Sequence, residues 1–183
     1  MVVQLQRKET TTECIVSSHI LKRASPIFNA MLSKDRFQEG TELSQSNEKS
    51  ELYTLKLCDD DAPAMLEILK ALHYRSHQVS RVVSVLDLVA IAELSEKYDL
   101  YEALYPWTQL WMPRVSHLAY QPGFEHWLLI AWAFREREVF SQLSRMVTLE
   151  LVPGGSLLHP SLPDSVVGMY IQSAAVQEHT FSR

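Results

Sequence analysis

Pro26 is the residue that most limits how this chain can fold. Around it Ile20, Leu21, Ala24, Ile27, Phe28, Met31 and Leu32 recur at helical spacing on one face. A proline inside one continuous helix would remove a hydrogen bond and clash with the preceding turn. Ser25, directly before it, is a preferred helix cap, and proline suits the first helical position. The stretch is therefore expected to form two consecutive helices joined by a sharp turn. A helix of two or three turns is marginal alone, so its apolar face must be sealed by packing.

The segments on either side give the rest of the order. VVQLQR (2 to 7) and ECIVSS (13 to 18) read as short strands, with KETTT as the hairpin connection. Residues 33 to 50, SKDRFQEGTELSQSNEKS, are polar and read as an exposed loop. LYTLKL (52 to 57) alternates like a strand. After it Asp60 or Asp61 can cap a helix with Pro63 in its first turn and Met65, Leu66, Ile68, Leu69 and Leu72 on its buried side. VLDLVAIAELSEKYDL (85 to 100) is again helical through Val85, Leu88, Val89 and Ala92. Pro106 reads as the start of another helix and Pro113 as its stop. RVSHLAYQPG (114 to 123) is a boundary, two more helical patterns end at PGG (153 to 155), and the tail reads as a final short helix. The fold class is α+β, a small sheet covered by a helical cluster, followed by a helical extension.

Composition excludes several functions. Apolar residues at 46% and charged residues at 21% match a soluble globular chain with its own core. The 183 residues suit one domain with an extension, or two small domains. A net charge of −5 provides no basic field for phosphate backbones, so no nucleic-acid partner is expected. Cys14 and Cys58 belong to no CxxC pair and read as small buried hydrophobes in a reducing compartment. The N-terminal MVVQLQRKE lacks the apolar run of a secretory signal, and WLLIAWAF (127 to 134) is shorter than the roughly twenty residues a bilayer requires. The expectation is an intracellular protein, cytoplasmic or nuclear, with no membrane partner.

No motif carries catalysis. The seven histidines (His19, His73, His77, His117, His126, His159 and His179) form no HExxH. His73 and His77 are four apart, but they straddle an expected helix end, where histidine is favoured electrostatically. Asp59-Asp60-Asp61 lacks the spaced ligands and glycine of a calcium loop and reads as a capping run. There is no G-x-S-x-G elbow, and five glycines in all leave no phosphate loop. No catalytic residue, metal ligand or cofactor is expected. Trp107, Trp111, Trp127 and Trp132 are read as core packing between the first part of the chain and the extension, with an exposed partner groove as the alternative.

Several of these segments, in order, match a known pattern. VSSHILKRASPIFNAML, the charged FQEG loop, LYTLKLCDDDAPAMLEILKALHY and LVAIAELSEKYDL closely resemble the BTB/POZ domain, specifically its fungal branch. YPWTQLWM and HWLLIAWAFREREVF look like the "PW…W" and "AWVFG…F" segments of fungal BTB proteins, so the likeness runs from about residue 2 to 150. The resemblance implies a BTB/POZ fold over residues 1 to 112, a small β-sheet capped by a cluster of short helices, with an α-helical C-terminal extension over 113 to 183. It implies a protein–protein interaction module: self-association or pairing with another BTB protein, or a cullin, for which the chain would be a ubiquitin-ligase substrate adaptor. A transcription-associated BTB scaffold without its own DNA-binding region is the alternative, and a small hydrolase a weaker one. The resemblance places Ile20, Leu21, Ile27, Phe28 and Met31 in the helical hairpin at the domain's heart, close to the family's dimer seam. The candidate interface residues are Ile20, Leu21, Phe28 and Leu32, together with Tyr74 and His77 in the turn that the family often writes Y-T-G-E.

This chain departs from the family at defined positions. It has Ser17 where many members have His, and Met1 where they have Asp before the first strand, so the family's charged pocket near the dimer axis is not expected. The N-terminal strand and helix that family homodimers often exchange are missing before Val2, either truly or through truncation, so a strand-swapped dimer is less expected. The hydrophobic-x-Glu contact of many cullin-binding members is absent from the Tyr74-Arg75-Ser76-His77 region.

Overall fold

The computed structural model describes residues 1–7, 10–34, 36–120 and 125–150. They form an α+β chain with a three-stranded sheet and eight α-helices. The chain divides into a first unit, Met1–Trp111, and a second beginning at Met112.

In the first unit, β1 (Val2–Arg7) is the middle strand. It pairs antiparallel with β2 (Thr10–Ile15) and parallel with β3 (Thr54–Leu57). The hairpin differs from the expected one because Thr10, Thr11 and Thr12 belong to the strand, not the connection, and the strand ends at Ile15. Threonine is β-branched and suits a pleated surface. In register, Val3 lies between Cys14 and Leu55, and Leu5 between Thr12 and Leu57. Val3, Leu5, Leu55 and Leu57 are buried, so this face meets the core.

The break at Pro26 divides α1 (Ser18–Ala24) from α2 (Pro26–Met31), as the cap and proline dictate. The Ser25 hydroxyl accepts from the Phe28 N–H at 2.9 Å. Residues 33 to 50 overturn their expectation: they contain α3 (Gln38–Glu48). Leu43 is almost the only apolar residue in this helix, so periodicity could not reveal it. Tertiary packing holds it instead, through Leu43, buried Gly40 and the neighbouring Tyr53. Gly40 is obligatory, because a Cβ there would lie 2.0 Å from the Ser33 carbonyl oxygen. Burial first, and then the Glu42 and Glu39 carboxylates, push the Tyr53 phenol up to about 12.

Helix α4 (Ala62–Leu72) is capped by Asp61, which accepts from the Ala64 N–H at 2.9 Å. Its buried side is Met65, Ile68, Leu69 and Leu72, with Leu66 half-buried. Helix α5 (Val85–Tyr98) begins with a reciprocal capping box between Ser84 and Asp87. Helix α6 (Tyr101–Val115) corrects a second expectation, for it runs straight through Pro106 and Pro113. The buried side chains of Leu104, Thr108 and Trp111 lock this helix, and that packing outweighs two prolines. The Trp111 indole donates to the Ser80 carbonyl at 2.8 Å.

The second unit follows a short 3-10 turn (Ser116–Leu118) with α7 (Glu125–Ala133) and α8 (Arg137–Glu150). Trp127, Leu128, Leu129, Ile130 and Leu143 are buried. The chain reverses between these helices at Arg135, in the left-handed region at φ 56°, with the Glu136 N–H bonded to the Ala131 carbonyl. Pro122-Gly123, PGG and the expected final helix lie outside the described residues, as do His159 and His179.

Candidate interaction surface

The six candidate interface residues separate into two groups. Leu21, Phe28 and Leu32 are buried in the core and offer nothing to a partner. The cause is local: the Phe28 ring stacks on Tyr98 of α5 with centroids 4.3 Å apart and planes within 5°, whereas Ile27 of the same stripe is exposed. Ile20 is half-buried, while Tyr74 and His77 are exposed.

Beneath the hairpin lies a polar lock that the sequence reading missed. Asp60 is not merely part of a capping run. Its side chain is 1% exposed and accepts from Lys97 Nζ at 2.6 Å and from the Tyr98 hydroxyl at 2.7 Å. The Tyr98 carbonyl in turn accepts from Ser25 Oγ at 2.5 Å. Burial first, then the hydrogen bond to Asp60, holds the Tyr98 phenol neutral well above the ordinary tyrosine range. A buried carboxylate with two donors is satisfied, so this cluster joins α2, the β3–α4 turn and α5 rather than awaiting a ligand. Lys97 and Tyr98, adjacent at a helix end and following an acidic triplet, were the available signal.

The C-terminal end of α4 is similarly built. His73 Nδ1 bonds the Leu69 carbonyl and Nε2 accepts from the Ser17 N–H, both at 2.9 Å. Since a carbonyl can only accept, the ring is neutral with its proton on Nδ1. This imidazole ties the start of α1 to the end of α4, which explains why it stands beside Ser17. Tyr74 follows in the left-handed region at φ 57°, with the Arg75 N–H bonded to the Lys70 carbonyl at 2.9 Å. Helices usually end in this way on glycine. Here a tyrosine holds the strained position, and it is 83% exposed.

At the other end of α4, Pro63, Leu66, Val82, Val83 and Ile91 line an open groove of about 240 Å³. Its acidic residues already have partners. Glu67 holds Lys70 at 2.6 Å and the Ser80 N–H at 2.9 Å, and Asp87 belongs to the capping box. Val79 and Val83 are buried and Trp111 holds Ser80, so the segment leading into α5 is fixed. Upon it Val82 stands 68% exposed, and Leu86, beside the groove's Asp87, is 70% exposed. Chemically, the groove offers an apolar floor edged by Glu67, Ser80 and Asp87.

The tryptophans divide as well: Trp111 and Trp127 are buried, whereas Trp107 and Trp132 are half-buried. Cys58 is exposed, contrary to expectation, because it starts the turn after β3. Cys14 is half-buried, and burial raises its thiol. Among the described residues, no three His, Cys, Asp or Glu side chains come together to hold a metal ion, and no helix is long and apolar enough to cross a membrane. No protein-family model and no curated protein matches the chain.

Proposed function

We propose that this chain is a BTB/POZ-type interaction module that works through self-association or a bound protein partner and not through catalysis. The α+β order, the capped break at Pro26 and the helix ending in Lys97-Tyr98 agree with the resemblance in the sequence. One observation supports the reading above the rest. Val82 remains exposed in the lining of a groove on a fixed segment, and Leu86, in the first turn of α5, is exposed next in the chain to the groove's Asp87, so both contribute little to the fold. Aliphatic side chains held rigidly at a groove are suited to being covered by another protein. Tyr74, exposed in a strained backbone position, adds a second anchor, because strain kept without a packing benefit points to use elsewhere.

Within this class the leading specific role, which rests on the family resemblance alone, is substrate adaptor for a cullin-type ubiquitin ligase. The test is capture of the purified chain on an immobilised cullin, comparing wild type with Val82→Ser/Leu86→Ser. Both positions are exposed, so the variant keeps its stability within about 0.5 kcal/mol and loses capture. Equal capture of both proteins, or no capture of wild type while a BTB control binds, overturns the adaptor role.

A further inference from the structure

The outer face of the sheet has a charge pattern that fits a second copy of itself. Residues facing away from the core lie in rows across the three strands. One row is Ile15, Val2 and Thr54, and the next is Glu13, Gln4 and Lys56. Gln4 Nε2 donates to Glu13 Oε1 at 3.1 Å across the ladder, which places both side chains on this face. Ile15 is 82% exposed, and Leu52, continuing the outward alternation past Thr54, is 67% exposed. The second row thus carries a negative charge on one edge strand, a neutral amide in the middle and a positive charge on the other edge.

We infer that this face pairs with the same face of a second copy, about a two-fold axis parallel to the strands. Such an axis exchanges left and right. Glu13 of each copy lies across from the other's Lys56, the two Gln4 side chains meet on the axis, and Ile15 meets the other's Thr54 and Leu52. An in-plane axis perpendicular to the strands, passing through that row, would set Glu13 against Glu13 and Lys56 against Lys56, so the charges select one arrangement. The contact is isologous, with each pair occurring twice. Aligned sheets pack about 10 Å apart, within reach of these side chains. Three short strands cover far less than the roughly 800 Å² per partner of a stable interface, so the pair is weak and reversible. The inference deepens the self-association part of the reading above and rests on it.

Charge exchange tests it. Sedimentation equilibrium at low salt is run on the full chain as wild type, Glu13→Lys, Lys56→Glu and the double variant, up to about 1 mM protein. Each single reversal places two like-charged contacts in the pair and weakens dimerisation by about tenfold or more. The double variant restores the opposite-sign contacts and returns to within about threefold of wild type, while raised salt reduces the differences. Ile15→Lys also weakens association without involving the Glu13–Lys56 pair. A wild type that stays monomeric overturns the inference. So does a dimer that neither reversal affects, or a double variant no better than the singles. A dimer insensitive to the reversals leaves self-association through another surface standing, and cullin capture is scored separately, so the two failures are distinguishable.

Discussion

Replacing Lys97 with methionine measures what the polar lock beneath the helical hairpin contributes. The pair is asymmetric: Lys97 Nζ lies 2.6 Å from Asp60 Oδ1, the carboxylate side chain is 1% exposed and the lysine 50%. An exposed ion pair contributes only about 0–1 kcal/mol, whereas stranding a fully buried charge costs about 3–5 kcal/mol. One dehydrated partner and one wet partner put this case between those limits. Methionine keeps most of the apolar stem, so the loss comes mainly from the charge-assisted hydrogen bond, at about 2 kcal/mol. The Lys97 ammonium also lies 5.3 Å from the Tyr98 ring centroid, a contact that adds a few tenths more. Urea unfolding at neutral pH reads the change directly. Asp60→Asn and the double variant complete a cycle in which the second substitution costs about 1 kcal/mol less once the first is present. A loss under about 0.5 kcal/mol for Lys97→Met, or strict additivity in the cycle, would refute the claim that Asp60 depends on this partner.

Four further outcomes follow from the same geometry. Gly40→Ala forces a Cβ against the Ser33 carbonyl, so α3 undocks, limited proteolysis cuts first within residues 33–50, and the melting temperature falls; unchanged cleavage contradicts the packing of α3. Ser25→Ala removes both the Phe28 cap and the donor to the Tyr98 carbonyl, and chemical denaturation records a loss of about 2 kcal/mol. Tyr74→Gly relieves the left-handed backbone and stabilises the fold by about 1 kcal/mol, while weakening partner capture; a destabilised variant shows that the ring packs. Tyr53 and Tyr98 both titrate above their unfolded value near 10, so the stability they provide is complete below about pH 10 and declines as pH rises, for Tyr53 toward about 12. Tyr53→Phe removes its part of that alkaline decline in a pH series of thermal melts.

How far the sequence could be read depended on how local each cause was. The Ser25-Pro26 break, the Asp61 cap and the buried side of α4 are set by neighbours in the chain, and patterning finds them. Helix α3 has one apolar anchor, and what fixes it is a close backbone approach at Gly40 that no periodicity encodes. The prolines of α6 misled because their penalty is local while the burial of Trp111 is not. The same division applies to the candidate surface. Leu21, Phe28 and Leu32 were chosen as apolar and helical, yet such a stripe reads alike whether it meets a partner or meets Tyr98 in the same chain. Val82 and Leu86 had no pattern to mark them. Their exposure follows from how Trp111, Ser80 and Val83 hold the segment, a long-range arrangement.

A calorimetric titration of the purified chain with a cullin's N-terminal domain tests the adaptor role, the specific form of the interaction reading, most directly. Saturable binding by wild type that is abolished by Val82→Ser/Leu86→Ser, with both proteins equally folded, is the predicted result. Absence of heat for wild type at concentrations where a BTB control saturates, or binding that the double variant retains in full, contradicts it.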